Sequence, residues 1–178
     1  MQTKTPMKLS DRTVNLLRNF STINQSILFK EGKKLRTISV MKNILAEANI
    51  DEEFPQDFGV YDLGQFLNSL NLFQEPDLVF NGDSYVTVKE GKQKSKYFFA
   101  DPSVIVSPPE KSITLPSVDV EFNLKSSQLD RLLKAASVYH LTDLSVIGED
   151  GEIKLMVHDR KNDTSNDYAI VVGETDQE

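Results

Sequence analysis

Ser10-Asp11-Arg12-Thr13-Val14-Asn15-Leu16-Leu17-Arg18-Asn19-Phe20-Ser21 returns 116 positions later as Ser126-Ser127-Gln128-Leu129-Asp130-Arg131-Leu132-Leu133-Lys134-Ala135-Ala136-Ser137. The opening serine, the Leu-Leu pair, the base that follows it and the closing serine recur in register. After each copy come a short polar stretch and a strand-like run, Ile27-Leu28-Phe29 in the first and Leu144-Ser145-Val146-Ile147 in the second. A tight turn carrying Gly and Glu follows each. A repeat of this period points to two copies of one domain type, because solenoid units are far shorter.

Wound at about 100° per residue, the first copy places Val14, Leu16, Leu17 and Phe20 on one face and Arg12, Asn15, Arg18 and Asn19 on the other. The second is expected to bury Leu129, Leu132, Leu133 and Ala136 and to present Arg131 and Lys134 one turn apart. Each copy opens on a serine able to accept a first-turn N–H. One such basic or neutral face reads as ordinary solvated helix; its repetition suggests a shared role.

With 178 residues the chain can hold one large or two modest domains. No apolar run approaches membrane-spanning length, and Met1–Pro6 lacks the core of a secretory signal and reads as a disordered extension. Without cysteine there is no disulfide framework and no thiolate metal site. The net charge of −7 argues against indiscriminate nucleic-acid binding. Residues up to Ser112 carry 14 bases and 14 acids, those beyond it 6 and 13, so the excess lies in the second part. Lys125, Arg131 and Lys134 still mark the helix there: a basic stripe on an acidic body.

Along the first part, Ser26–Glu31 and Lys34–Ser39 flank Gly32-Lys33 as a hairpin signal. Ile44–Ile50 and Phe58–Tyr61 read as strands, with acidic Asp51-Glu52-Glu53 a solvated turn between them. Asp62 caps a helix over Leu63–Leu72 with an apolar stripe of Leu63, Phe66, Leu67 and Leu70 and an uncharged outer face of Gln65, Asn68 and Ser69. Strands Leu78–Phe80, Tyr85–Lys89 and Lys96–Phe99 follow, the first two joined by Asn81-Gly82-Asp83. This is an α+β pattern with helices on one face of antiparallel sheets. Ala100–Leu115 breaks it: Pro-Pro cannot sit in a central strand. Val104-Ile105-Val106 on this connector is either plain linker or part of a partner-docking groove. The second part opens with a half-buried strand (Val118, Val120, Phe122, Leu124), then the repeated helix, Leu144–Ile147, a Glu149-Asp150-Gly151 turn, Ile153–Val157, a polar loop and Tyr168–Val172. It shows one helix where the first part shows two.

Nothing announces catalysis. His140 and His158 lack ligand spacing, and no nucleophile elbow, Walker loop, dinucleotide fingerprint or His-Glu-x-x-His occurs. Gly148 and Gly151 flank acids, the wrong sign for a phosphate cradle. The reading is of a non-enzyme needing no cofactor and no metal.

Met7-Lys8-Leu9-Ser10, the run Leu16–Asn24, Ala46–Ile50, Val60-Tyr61-Asp62-Leu63 and Ala100-Asp101-Pro102-Ser103 together resemble the DNA polymerase sliding clamps of T-even-type bacteriophages, over Met7 to about Glu174. The resemblance implies the DNA-clamp (processivity-factor) fold: extension 1–6, first clamp domain 7–99, connector 100–115, and a partial second clamp domain 116–178 that in the family continues with another helix and strands. It implies a homotrimeric ring, where the second domain is complete, around duplex DNA held without regard to sequence. The partners implied are the phage DNA polymerase, a clamp loader and the late-transcription machinery, in the cytoplasm of an infected bacterial host. By helix position, Lys8, Arg12, Arg18, Lys125, Arg131 and Lys134 are expected to face DNA, and Val104, Ile105 and Val106 to dock partners. The alternative is a clamp-fold interaction module that does not close on DNA; a small enzyme has only scattered carboxylates in its favour.

Overall fold

The computed structural model describes residues 6–111, 114 and 116–176, and the chain divides into two compact units, Met1–Ser112 and Ile113–Glu178. The extension expected at 1–6 lies outside the described residues apart from Pro6, as do positions 112, 113 and 115 of the connector.

In the first unit, α1 (Asp11–Ile23) starts where Ser10 Oγ accepts the Thr13 N–H at 3.3 Å. A second cap arrives from far along the chain. Glu52 accepts the Ser10 N–H at 2.5 Å and the Thr13 hydroxyl at 2.7 Å. The acidic triplet expected in a turn is therefore inside a strand, β3 (Leu45–Phe54), and Glu52 fastens the helix to it. Desolvation pushes the Glu52 carboxyl up, but the hydrogen bonds from Ser10 and Thr13 outweigh it and hold it below the ordinary range. Its contribution is thus present at neutral pH and lost as pH falls through the carboxylate range. Glu52→Ala should cost about 1–2 kcal/mol at pH 7, and the gap from wild type should narrow on acidification; urea unfolding at several pH values measures both.

The expected hairpin about Gly32-Lys33 does not form. β1 (Ile27–Phe29) pairs antiparallel with β4 (Phe58–Val60), and β2 (Gly32–Ile38) pairs with β3. The cause is local and polar. Asp57 accepts the Glu31 N–H and the Lys30 ammonium, each at 2.8 Å, tying the end of β1 to the turn before β4. Gly32, at φ 109°, then redirects the chain onto β3, with a register shift between Gly32 and Lys34.

α2 (Leu63–Leu70) keeps its expected cap, Asp62 accepting the Gln65 N–H at 2.8 Å, and buries Leu63, Phe66, Leu67 and Leu70. β5 (Asp77–Phe80), β6 (Tyr85–Glu90) and β7 (Gln93–Phe98) form an antiparallel meander, with Met7 bridging to Leu78. The core is strongly aromatic. Phe29 stacks on Phe58 at 4.4 Å between ring centres and tilts against Phe54 at 4.8 Å.

In the second unit, α3 (Ser126–Tyr139) packs on β9 (Glu152–His158) and β10 (Tyr168–Glu174) of a sheet ordered β10-β9-β8, with β8 spanning Asp143–Glu149. Asp150 and Gly151, both at positive φ, close the β8–β9 hairpin as the sequence expects. Three expectations fail here. The N-cap is Lys125 rather than Ser126, its N–H donating to Gln128 Oε1 at 2.9 Å. Val118–Leu124 is not a strand: alternation marks a face but cannot supply a pairing partner, and Val118, Val120 and Leu124 are exposed. Leu133 is 57% exposed and Leu129 lies open beside it. Within the first unit α1 is flanked by α2, whereas α3 is the only helix described in the second. The tightly buried core is correspondingly small: Leu132, Ile153, Leu155 and Val157.

Candidate functional surfaces

With Thr13, Leu17 and Phe20 turned inward, α1 holds Arg12, Asn15, Arg18 and Asn19 in solvent, as its periodicity predicts. Lys8 and Arg18 border one open cleft of about 600 Å³ that runs beside α1 past Asn15, Asn71, Gln74 and Glu75. Arg12 stands outside it, without a side-chain partner among the described residues. Arg18 Nη2 donates to Asn71 Oδ1 at 3.4 Å. Lys8 Nζ lies 2.8 Å from Glu75 Oε2. That hydrogen bond and its charge raise the Lys8 ammonium above its usual value and lower the Glu75 carboxyl. Both groups are open to solvent, so the pair orients Lys8 more than it stabilises the fold.

Lys125, the N-cap of α3, and Arg131 and Lys134 within it are all exposed and free of side-chain partners among the described residues, Lys134 on the face opposite Leu132 and Arg131 about a quarter-turn from it. Exposed cations along a helix can meet phosphate oxygens, contacts that position a protein on nucleic acid and carry no sequence information.

The connector splits the expected docking triplet. Val104 is exposed and Val106 half-buried, whereas Ile105 is only 7% exposed. It sits on Gly59 of β4, whose backbone also bridges Ala100 through a 2.9 Å hydrogen bond; a Cβ at Gly59 would lie 2.7 Å from Ile105 Cδ1. Asp101 opens the connector by capping a single turn of 3-10 helix, Pro102–Val104.

A second exposed apolar element, which the sequence reading missed, lies in the turn between β2 and β3. In the β2–β3 turn, Ser39 Oγ accepts the N–H groups of Asn43 and Ile44 at 3.2 and 3.1 Å. This rigid turn holds Val40, Met41 and Ile44 out in water, Met41 at 83% exposure. The signal was available: two consecutive apolar residues in a tight polar turn have no folding reason to be there. Buried Asn24 links turn and connector, its amide donating to Ile38 O at 2.8 Å and Val106 O at 3.2 Å while its oxygen accepts from Ser26.

Among the described residues no cluster of His, Asp and Glu has the geometry to hold a metal, and no helix is long and apolar enough to cross a membrane.

The fold is that of the proliferating cell nuclear antigens. The PCNA of Thermococcus kodakaraensis superposes with a TM-score of 0.61 at 15% identity, covering 94% of this chain and 71% of that one. The Entamoeba histolytica antigen gives 0.60 at 14%, covering 89% and 69%. The family can be named more narrowly. Residues 8–107 match the DNA polymerase processivity factors. The sliding clamp of Vibrio phage KVP40 is 34% identical over 174 residues, covering 96% of this chain and 79% of that protein. The sliding clamp of Enterobacteria phage T4 is 30% identical, covering 97% and 77%. The chain belongs to the sliding-clamp family of DNA polymerase processivity factors.

Proposed function

We propose that this chain is a sliding clamp that surrounds duplex DNA and tethers a DNA polymerase for processive synthesis, without chemistry of its own. The observation that carries the reading is the exposed cationic face of α1 recurring on α3 in an otherwise acidic chain. Loose, sequence-blind phosphate contacts suit a ring that must move along its track. Reversing Arg131 and Lys134 to Glu together should reduce clamp-dependent primer extension at least tenfold at physiological salt, with little change in thermal stability. Undiminished extension would remove these residues from the DNA surface.

Ring closure would use strand edges. Among the described residues β7 pairs only with β6 and leaves its other edge open, with Phe98 exposed beside Tyr85 and Lys96 lying over the Tyr85 ring at 4.3 Å. We assign this edge to pairing with an edge strand of the next copy's second unit, a head-to-tail contact that closes as a homotrimer. Polymerase, clamp loader and late-transcription factors would share the patch of Val40, Met41, Ile44, Val104 and Val106, in the cytoplasm of the infected host.

The uncovered apolar flank of α3 and β8 favours a second reading, in which this chain is a clamp-fold interaction module that does not close. Light scattering behind a sizing column separates the two: a concentration-stable trimer supports the ring, a monomer the module.

A further inference from the structure

Beside the docking patch the connector borders a second depression with different chemistry. Between β1, the start of β2 and Ser107–Glu110 lies an open groove of about 260 Å³. Leu28 and Pro108 give it an apolar floor. Lys30, Lys33, Lys34 and Arg36, all from one seven-residue run, line it, against two rim acids, Glu31 and Glu110.

Three of the cations are held in place. Lys30 Nζ lies 2.8 Å from Asp57 Oδ2, and Lys34 Nζ 3.0 Å from Glu47 Oε1. Arg36 Nη1 donates to the Pro109 carbonyl at 2.7 Å, and its Nε stands 3.3 Å from Glu47 Oε2 without hydrogen-bond geometry. The remaining guanidinium nitrogen, Nη2, is buried with no hydrogen-bond partner among the described residues. Lys33 likewise has no partner there. A buried N–H of a charged group left without an acceptor is costly, and a site that offers one gains when a ligand supplies it.

We propose that this groove receives the acidic flank of a partner peptide whose apolar anchor sits on Val40, Met41, Ile44, Val104 and Val106. The proposal rests on the docking reading above. The two surfaces are neighbours along the chain: Val106 precedes Ser107, and Arg36 on β2 lies four residues before Val40. A peptide that leaves the patch along the connector enters the groove within a residue or two, at about 3.3 Å per extended residue. A carboxylate is the group that fits. It only accepts, it is planar, and its two oxygens match a guanidinium edge while a neighbouring ammonium completes the charge. The apolar floor suits the aliphatic stem of Glu or a flanking apolar side chain. A phosphodiester backbone would bring regularly spaced anions against Glu31 and Glu110, and has nothing to place on Leu28 and Pro108.

The test is a selection of random dodecamer peptides on the full chain, followed by fluorescence anisotropy with the fluorescein-labelled winners. Wild type should return peptides in which Asp or Glu lies within a few residues of an apolar cluster. Replacing those acids by Asn or Gln should weaken binding at least tenfold. In Lys33→Glu, whose side chain bonds nothing in the fold, and independently in Arg36→Gln, that discrimination should fall below threefold with the thermal midpoint of Lys33→Glu unchanged. Peptides without acid enrichment, or discrimination that survives both substitutions, overturn the proposal and leave the docking patch standing. If Met41→Asp/Val104→Asp selects the same peptides as wild type, or wild type selects none, the docking reading falls and this one with it. Displacement of a selected peptide by labelled oligothymidylate with the same Lys33→Glu sensitivity would reassign the groove to phosphate and overturn the peptide proposal.

Discussion

Leu132→Ala should unfold residues 113–178 while the first unit stays folded. Leu132 is fully buried and is the residue through which α3 meets Leu155 and Val157. Truncating a buried leucine costs about 2–5 kcal/mol, transfer and cavity terms together. A unit this small, with so few tightly buried side chains, has only a few kcal/mol of stability to lose. The first unit, built around Phe29, Phe54, Phe58, Phe66 and Phe80, has its own core. Hydrogen exchange read by mass spectrometry checks the outcome: α3 and β8–β10 should lose protection, and β5–β6 should keep it. Simultaneous loss throughout the chain would show one cooperative core and refute the division.

Gly59→Ala should detach the connector. Its Cβ would lie 2.6 Å from the Ala100 carbonyl oxygen and 2.7 Å from Ile105 Cδ1. The first of these is backbone and cannot rotate away. Relief requires β4 and Ala100 to separate, which breaks the 2.9 Å hydrogen bond between them. Overpacking of this kind costs about 1–3 kcal/mol. The larger consequence bears on the proposed docking, because Ile105, buried against Gly59, lies between Val104 and Val106. Expected are a lowered urea midpoint, new protease cleavage between 101 and 111, and loss of partner binding. Adding Ile105→Ala removes one of the two collisions, so it should recover part of the stability but none of the binding. A Gly59→Ala protein that resists protease like wild type would show that the connector does not depend on this close approach.

The helices and the β5–β7 meander could be read from the sequence because what specifies them is local. Asp62 and Ser10 announce caps, 3.6-residue periodicity sorts Leu17 from Arg18, and Asn81-Gly82-Asp83 closes a hairpin between neighbours. The exposed cations of α1 and α3 were legible for the same reason. What escaped was non-local. The Asp57 side chain, 26 residues beyond Glu31, decides that β1 leaves β2 for β4. Glu52 looks like one more surface acid until β3 brings it under the start of α1. Leu133 reads as core on a helical wheel, yet burial needs a covering element as well as an apolar face. Val118–Leu124 makes the same point for a strand. Within the docking triplet, three apolar residues in a row could not reveal that the middle one turns inward, because that depends on the absence of a side chain at Gly59.

Asn24 gives the two functional surfaces a common mechanical joint. It ends α1, the helix that carries Arg12 and Arg18, and its single amide grips both the start of the docking turn at Ile38 O and the connector at Val106 O. Under the proposed docking, tension applied by a tethered enzyme at the connector would pass through these hydrogen bonds to the end of the helix that carries Arg12 and Arg18.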